Sequence, residues 1–172
     1  MSLDVTADDL RHRVAQQIEQ TFSETPYPGD DKVAAYARYG RSIADALRGK
    51  HWSQVPLEAL RQHRWEIFLL TPVTFRYYVP MFMLASLYHH HDLEAFADNL
   101  IFSLTPKREE HINNYFAGEY TDYFSRRVAA FTPEERSAIL AFLETFAALY
   151  PNEHLLYDVD LVGTTIAFWQ RA

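Results

Sequence analysis

The sequence predicts an all-α fold: a single-domain bundle of about six to eight helices, with a central apolar helix around residues 72–90. Three observations predict it. Apolar residues recur at intervals of three and four along the chain, Thr-Pro pairs mark several helix starts, and 172 residues is close to the usual size of one domain. Since 15% of the residues are aromatic, burial alone can stabilise such a core. We therefore expect residues 1–172 to form one domain.

The first two helices are predicted from caps and apolar stripes. Thr6 and Asp9 have the spacing of a capping-box variant, which places a helix start at this point. Four apolar residues then recur every fourth position on one stripe: Leu10, Val14, Ile18 and Phe22. After a segment rich in proline, Asp31 is the expected cap of a second helix that runs to Leu47 and stops at Gly49.

The middle of the chain predicts three further helices. Pro56 suits the first turn of a third helix, which has four inner positions: Leu57, Leu60, Ile67 and Phe68. The central helix follows, because residues 75–88 are apolar on nearly every side, and Pro80 should bend or divide it. Residues 92–103 predict one more short helix.

An apolar residue followed by Thr and Pro occurs three times, and each instance predicts a helix start. The three prolines are Pro72, Pro106 and Pro133. The third start is the clearest, since Thr132 and Glu135 complete a capping box. The last segment, residues 158–169, is interpreted as a helix, although its β-branched residues would also tolerate a strand.

Composition excludes several classes of protein. The absence of cysteine excludes disulfides and thiolate chemistry and favours a reducing compartment, so we expect a cytoplasmic protein. No signal peptide is expected at the N-terminus. The apolar stretch 65–88 is interrupted by Glu66 and Arg76, which favours buried core over a membrane span.

Charge is distributed unevenly within a net charge of -7. Residues 1–31 contain seven acids and two bases, residues 32–91 three acids and eight bases, and residues 109–172 ten acids and four bases. The two acidic ends disfavour nucleic acid and an acidic membrane surface, and they favour a basic protein partner.

Four strings resemble a family of small bacterial proteins known only as a domain of unknown function. They are PYPGDD at 26–31, ALRGKHW at 46–52, LTPVTFRYYVP at 70–80 and IFSLTP at 101–106. The resemblance covers about half of the chain, and none of its strings is a catalytic signature. It implies a bacterial, cytoplasmic, helical domain and assigns no site residue.

A metal site would need the histidines at 89–91 with Asp92, together with Glu109, Glu110 and His111. Consecutive residues of a helix point about 100° apart, so three adjacent imidazoles do not converge on one ion. The sequence therefore predicts no metal and no cofactor, and the histidines are interpreted as a polar helix end.

Arg76 is central to the remaining candidate site. It could line a pocket for a carboxylate or phosphate with aromatic and basic neighbours, namely Tyr77, Tyr78, Lys50, His51 and Trp52. The alternative, which the sequence favours, is a structural arginine that forms an ion pair with Asp30 or Asp31, because a charge in so apolar a helix needs a partner.

The sequence contains no recognised catalytic motif. No serine lies in a Gly-x-Ser-x-Gly elbow, the five glycines form no phosphate loop, and no His-Glu-x-x-His occurs. We therefore expect a non-catalytic interaction module, of the immunity or antitoxin-like kind, that binds a basic partner through an acidic surface. A binder of small anions, or an enzyme, built on the Arg76 group is the alternative.

Overall fold

The computed structural model describes residues 6–34, 40–106, 117–151, 155–156 and 159–172. Within these ranges the chain is all-α, as predicted, and its helices are α1 (Ala7–Phe22), α2 (Arg41–Leu47), α3 (Leu57–Gln62), α4 (Pro72–Tyr88), α5 (Phe96–Leu104), α6 (Ala117–Ala130), α7 (Pro133–Leu149) and α8 (Leu161–Trp169). Short 3₁₀ turns lie at Asp30–Lys32, Trp52–Gln54 and Ile67–Leu69. Two strands of two residues each, β1 (Leu155–Leu156) and β2 (Val159–Asp160), pair antiparallel before α8.

The predicted central helix is confirmed as α4. Thr71 caps it by accepting a hydrogen bond from the Thr74 amide, and Pro72 occupies the first turn. The helix continues through Pro80, and residues on every side of it are buried. It packs against α1, α5, α6 and α7, so it is the axis around which the other helices are arranged.

Helices α1 and α7 lie side by side against α4 and run antiparallel. At one end the Thr25 hydroxyl, just after α1, donates to Glu135 in the first turn of α7 (3.2 Å). At the other end Arg11 of α1 and Tyr150 at the end of α7 both donate to the Leu87 carbonyl oxygen, each at 3.2 Å. Both helices begin with the predicted capping box.

Helices α5 and α8 are joined by buried polar contacts. The hydroxyls of Thr105 and Thr165 lie 2.6 Å apart, and the Trp169 indole donates to the Leu104 carbonyl oxygen (2.8 Å). Asp160 caps α8 through the Gly163 amide, and its carboxylate lies so close to Gly163 that a side chain there would overlap it. A side chain at position 163 would therefore displace the Asp160 carboxylate and disturb this cap.

Several predicted boundaries differ from the structure. The second helix begins at Arg41 rather than Asp31, because a 3₁₀ turn occupies residues 30–32; residues 35–39 lie outside the described part. Phe68 is exposed rather than inward, because the third helix ends at Gln62 and the chain turns. Thr105 is the C-cap of α5, and its hydroxyl bonds back to the Ile101 carbonyl oxygen (2.6 Å). The helix predicted to start at Pro106 falls on residues 107–116, which lie outside the described part.

The buried apolar residues of the described chain form one continuous cluster that includes side chains from α1, α2, α4, α5, α7 and α8. It includes fully covered rings from four helices: Phe22, Phe75, Phe82, Phe96 and Phe142. None of the described helices combines the length and the apolar character needed to cross a bilayer.

Candidate functional site

Arg76 of α4 forms an ion pair with Glu135 of α7. Nε donates to Oε2 at 2.8 Å and to Oε1 at 3.1 Å, and Nη2 donates to Oε1 at 3.0 Å. The Glu135 side chain is 3% exposed and that of Arg76 is 26% exposed. This is the two-pronged geometry that makes arginine a strong partner for carboxylates.

The start of α7 places Glu135 at this point. As the fourth residue of the capping box, it reaches back to accept the Thr132 amide at Oε2 (2.9 Å). The Thr25 hydroxyl donates to Oε1 (3.2 Å). One carboxylate therefore joins the end of α1, the middle of α4 and the start of α7.

The predicted pairing of Arg76 with Asp30 or Asp31 is wrong. Arg76 faces α7, and its partner there is Glu135. The Asp30 carboxylate instead accepts the Tyr27 hydroxyl (2.5 Å). The expectation that Arg76 has a carboxylate partner is confirmed. The identity of that partner was not predicted, because Glu135 is 59 residues away in the sequence.

A surface groove of about 420 Å³ opens beside this pair, where the end of α1 meets the start of α7. Its lining is polar and comprises Gln20, Thr21, Glu24, Thr25, Arg76, Thr132, Glu134 and Glu135. Since Arg76 and Glu135 neutralise each other, the carboxylates of Glu24 and Glu134 give the groove a net negative charge. Hydrogen bonds from its own backbone amide and from the Thr132 hydroxyl lower the pKa of Glu134, so it is ionised at neutral pH.

The sequence pointed to acidic segments at both ends of the chain but not to this groove. Its lining comes from residues 20–25, 76 and 132–135, which are brought together only when α1 packs against α7. The capping box at Thr132 and Glu135 is the one local sequence pattern that includes lining residues of the groove. By itself this pattern predicts only a helix start.

The aromatic members of the predicted site form a second cluster. The Tyr77 ring lies edge-on to Tyr27 at 5.3 Å, to Tyr78 at 4.9 Å and to His51 at 6.1 Å between centroids. The His51 and Trp52 rings lie 5.2 Å apart. The structure thus brings the predicted rings together, while the Arg76 guanidinium makes its hydrogen bonds with Glu135.

Most polar atoms of this aromatic cluster have structural partners. The Tyr78 hydroxyl lies 2.6 Å from the Leu47 carbonyl oxygen and 2.9 Å from that of Lys50, and Lys50 Nζ donates to the Ala46 carbonyl oxygen (2.6 Å). Burial raises the pKa of Tyr78 and of Tyr77, so both phenols stay protonated.

Trp52 is the exception within this cluster. Its side chain is buried, and its indole N–H has no acceptor among the described residues. Buried donors are normally paired, so this atom is a candidate contact for a ligand.

The histidine segment, residues 89–91, packs among aromatic rings. His90 is buried, with its ring 5.2 Å from Phe146 and 4.5 Å from Tyr150, and His89 bonds to Asp92 (3.3 Å). In the described part of the chain no three potential ligands are grouped to hold a metal. The other predicted members, residues 109–111, lie outside the described residues.

The fold and the groove define a helical domain with an acidic cleft at a helix junction. Comparison with protein families matches residues 10–172 to DUF6714, a family of unknown function, and the chain belongs to this family. The resemblance to a family of unknown function is thereby confirmed. No curated protein and no solved structure was found to match the chain.

Proposed function

We propose that this protein is a non-catalytic interaction module that binds a basic protein partner through the groove between α1 and α7. The supporting observation is the groove itself. Folding joins two acidic segments that are distant in sequence, and their carboxylates at Glu24 and Glu134 border a polar cleft.

The groove has the size and chemistry for a lysine or arginine side chain. Carboxylates accept charge-assisted hydrogen bonds from such groups, and the threonine hydroxyls of its lining have lone pairs for further ones. Glu135 contributes little to this attraction, because Arg76 already neutralises it. Recognition therefore depends on Glu24 and Glu134, with the acidic surroundings raising the association rate.

An immunity or antitoxin-like role in the bacterial cytoplasm fits this chemistry. The chain has no cysteine, as suits a reducing compartment. Its net charge of -7 opposes nucleic acid and acidic membranes as partners.

The test compares proteins captured from a lysate of the native host by three forms of the chain. The double variant Glu24→Gln, Glu134→Gln removes both carboxylates while keeping their shape. Glu144→Gln changes the same charge on α7 about 15 Å further along the helix, outside the groove.

We expect a basic protein that binds the unaltered chain and the Glu144→Gln control, is released at high salt, and is lost from the double variant. The same proteins captured by all three forms would contradict a role for the groove.

A ligand site at the aromatic cluster is a second candidate, favoured by the Trp52 indole N–H, which has no acceptor within the part of the chain that the structure describes. A small carboxylate or phosphate could accept that donor near Lys50 and His51. Titration of the protein with acetate and inorganic phosphate, followed by the chemical shift of the indole proton, tests this candidate. A shift that stays constant would exclude both ligands at this position.

A further inference from the structure

Three large apolar side chains lie exposed where the segment before α4 runs beside α5. They are Trp65, Phe68 and Phe102, with 59%, 43% and 40% of their surfaces exposed. We call these three residues the ring patch. Single exposed apolar residues are common on protein surfaces, but a contiguous group of them marks an interaction site.

Hydrogen bonds hold the two segments that carry the patch side by side. The Asn99 side chain of α5 donates to the Arg64 carbonyl oxygen at 3.0 Å, next to Trp65. The Arg127 guanidinium donates to the carbonyl oxygens of both Ser103 (3.1 Å) and Phe68 (3.2 Å). Since Ser103 adjoins Phe102, one guanidinium holds the backbone of the two phenylalanines close together.

The area of the ring patch suits a small interface. With full areas of roughly 200 to 250 Å² per ring, the exposed fractions amount to about 300 Å² of apolar surface per molecule. Two such patches supply about 600 Å², and because roughly 60% of an interface is apolar, the total approaches about 1,000 Å². That total is at the lower limit for a specific protein interface.

The rim of the patch carries both signs of charge. Arg64 pairs with Glu94 (2.9 Å), and Arg61 pairs with Glu58 (3.4 Å). These internal pairs leave the rim without an excess of either charge, so a second copy of the chain meets no net repulsion there. A uniformly acidic or basic partner would meet a like charge at half of these positions.

We propose that the ring patch is a self-association surface that joins two copies of this chain about a two-fold axis. Its area implies a weak dimer, with dissociation in the micromolar range. The surface lies on different helices from the α1–α7 groove, so the two sites bind independently of each other.

Trp65 provides a direct probe of this contact. Of the three tryptophans, Trp52 and Trp169 are 6% and 4% exposed, and only Trp65 is accessible to water. We expect tryptophan emission to shift to shorter wavelength as protein concentration rises, in step with a monomer-to-dimer transition in sedimentation velocity. High salt should preserve this dimer, because its core is apolar and each copy carries a net charge of -7.

Two substitutions test the surface, with a control elsewhere. Phe68→Glu should abolish both the emission shift and the dimer, and Trp65→Glu should abolish the dimer by sedimentation. Tyr88→Glu, which alters an exposed ring outside the patch at the C-terminal end of α4, should leave both unchanged. Because both test residues are exposed, the variants should keep the helical circular dichroism of the unaltered chain.

Three results would overturn the proposal. They are a monomer up to millimolar concentration with constant emission, a dimer that persists in both glutamate variants, and assembly beyond two copies. Should one variant fail to fold, the other decides between these outcomes.

Discussion

Glu135 accepts hydrogen bonds from side chains or backbone of three separate segments: Thr25, Arg76 and Thr132. A buried carboxylate in this position needs all of its lone pairs satisfied, and the structure provides them. The same residue completes a helix cap, so the removal of its side chain affects both the ion pair and the start of α7.

We predict that Glu135→Ala lowers the free energy of unfolding by about 3 kcal/mol, because it leaves Arg76 largely buried without its partner. In a double-mutant cycle, Arg76→Ala and Glu135→Ala should show a coupling energy of about 2 kcal/mol. Urea unfolding measures both quantities, with the exposed Glu19→Ala on α1 as the control that should change stability little. Additive effects of the two substitutions would show that the pair contributes nothing of its own.

The protonation of Tyr78 makes the stability of the fold depend on pH. Its hydroxyl is shared between two carbonyl oxygens, and burial raises its pKa above the ordinary value of 10.0. The folded chain therefore keeps a proton that the unfolded chain releases at alkaline pH. Stability from this group is complete below pH 10 and is lost as the pH rises above that value.

We predict that the free energy of unfolding falls above pH 10, by up to about 1.4 kcal/mol per pH unit for this proton. Tyr78→Phe should make the decline shallower, while costing about 1 kcal/mol at neutral pH for the lost hydrogen bond. Chemical denaturation at a series of pH values measures both effects. Parallel curves for the two proteins would disprove the assignment to Tyr78.

At the scale of elements, two of the three Thr-Pro pairs are confirmed as helix starts. Thr71 and Thr132 cap α4 and α7 as predicted, with hydrogen bonds to the third helical amide. Thr105 is also the C-cap of α5, where its hydroxyl contacts Ile101 and Thr165. Those tertiary contacts are not contained in the local sequence, and the helix predicted after Pro106 lies outside the described residues.

The sequence predicted the buried core better than it predicted the candidate site. The apolar period of α1 and the uniform apolarity of α4 specified their buried faces, so the core was predictable from spacing. The partner of Arg76 was not, because Glu135 lies 59 residues away and two nearer aspartates were equally plausible from charge alone. The sequence also named Arg76 as the structural arginine of the core, whereas Arg127 is the more deeply buried one, at 2% exposure.

Arg127 connects α6 to the ends of two other elements. Its guanidinium donates to the carbonyl oxygens of Ser103 and Phe68, and its Cζ lies 4.0 Å from the centroid of the Phe75 ring. A planar group with donors on two nitrogens is required to bond two carbonyls while stacking on a ring.

We therefore predict that Arg127→Lys lowers the free energy of unfolding by about 2 kcal/mol, although it keeps the charge. Thermal unfolding followed by circular dichroism measures this loss. Arg13, an exposed arginine of α1, provides the control, and Arg13→Lys should have little effect. Equal melting temperatures for the two variants would contradict the role given to the guanidinium.

At the scale of the molecule, one cluster of buried residues joins helices from both ends of the chain. Trp52 lies against α4 near its first half, and Trp169 lies at the end of α8 beside Phe131. A chain with a single core unfolds in one cooperative transition. Both indoles should therefore become exposed to water in the same transition.

We predict one cooperative transition for residues 1–172. The test uses two variants that each retain one buried tryptophan, either Trp52 or Trp169, with the other two replaced by phenylalanine. In each variant the unfolding curves followed by fluorescence and by circular dichroism should coincide. A fluorescence midpoint that departs from the circular dichroism midpoint in either variant would indicate two separate folding units. The measurement belongs at submicromolar concentration, where self-association does not contribute.

The antiparallel packing of α1 on α7 also affects how the protein is made. Thr25 and Glu135 are 110 residues apart, so the ribosome needs roughly 6 to 22 s to deliver the second after the first, at ~5–20 residues per second. During that time the apolar stripe of α1, with Ile18 and Phe22, has no α7 to cover it. Helix α1 thus leaves the exit tunnel well before α7, and a nascent-chain chaperone that shields α1 in the interval would raise the yield of folded protein.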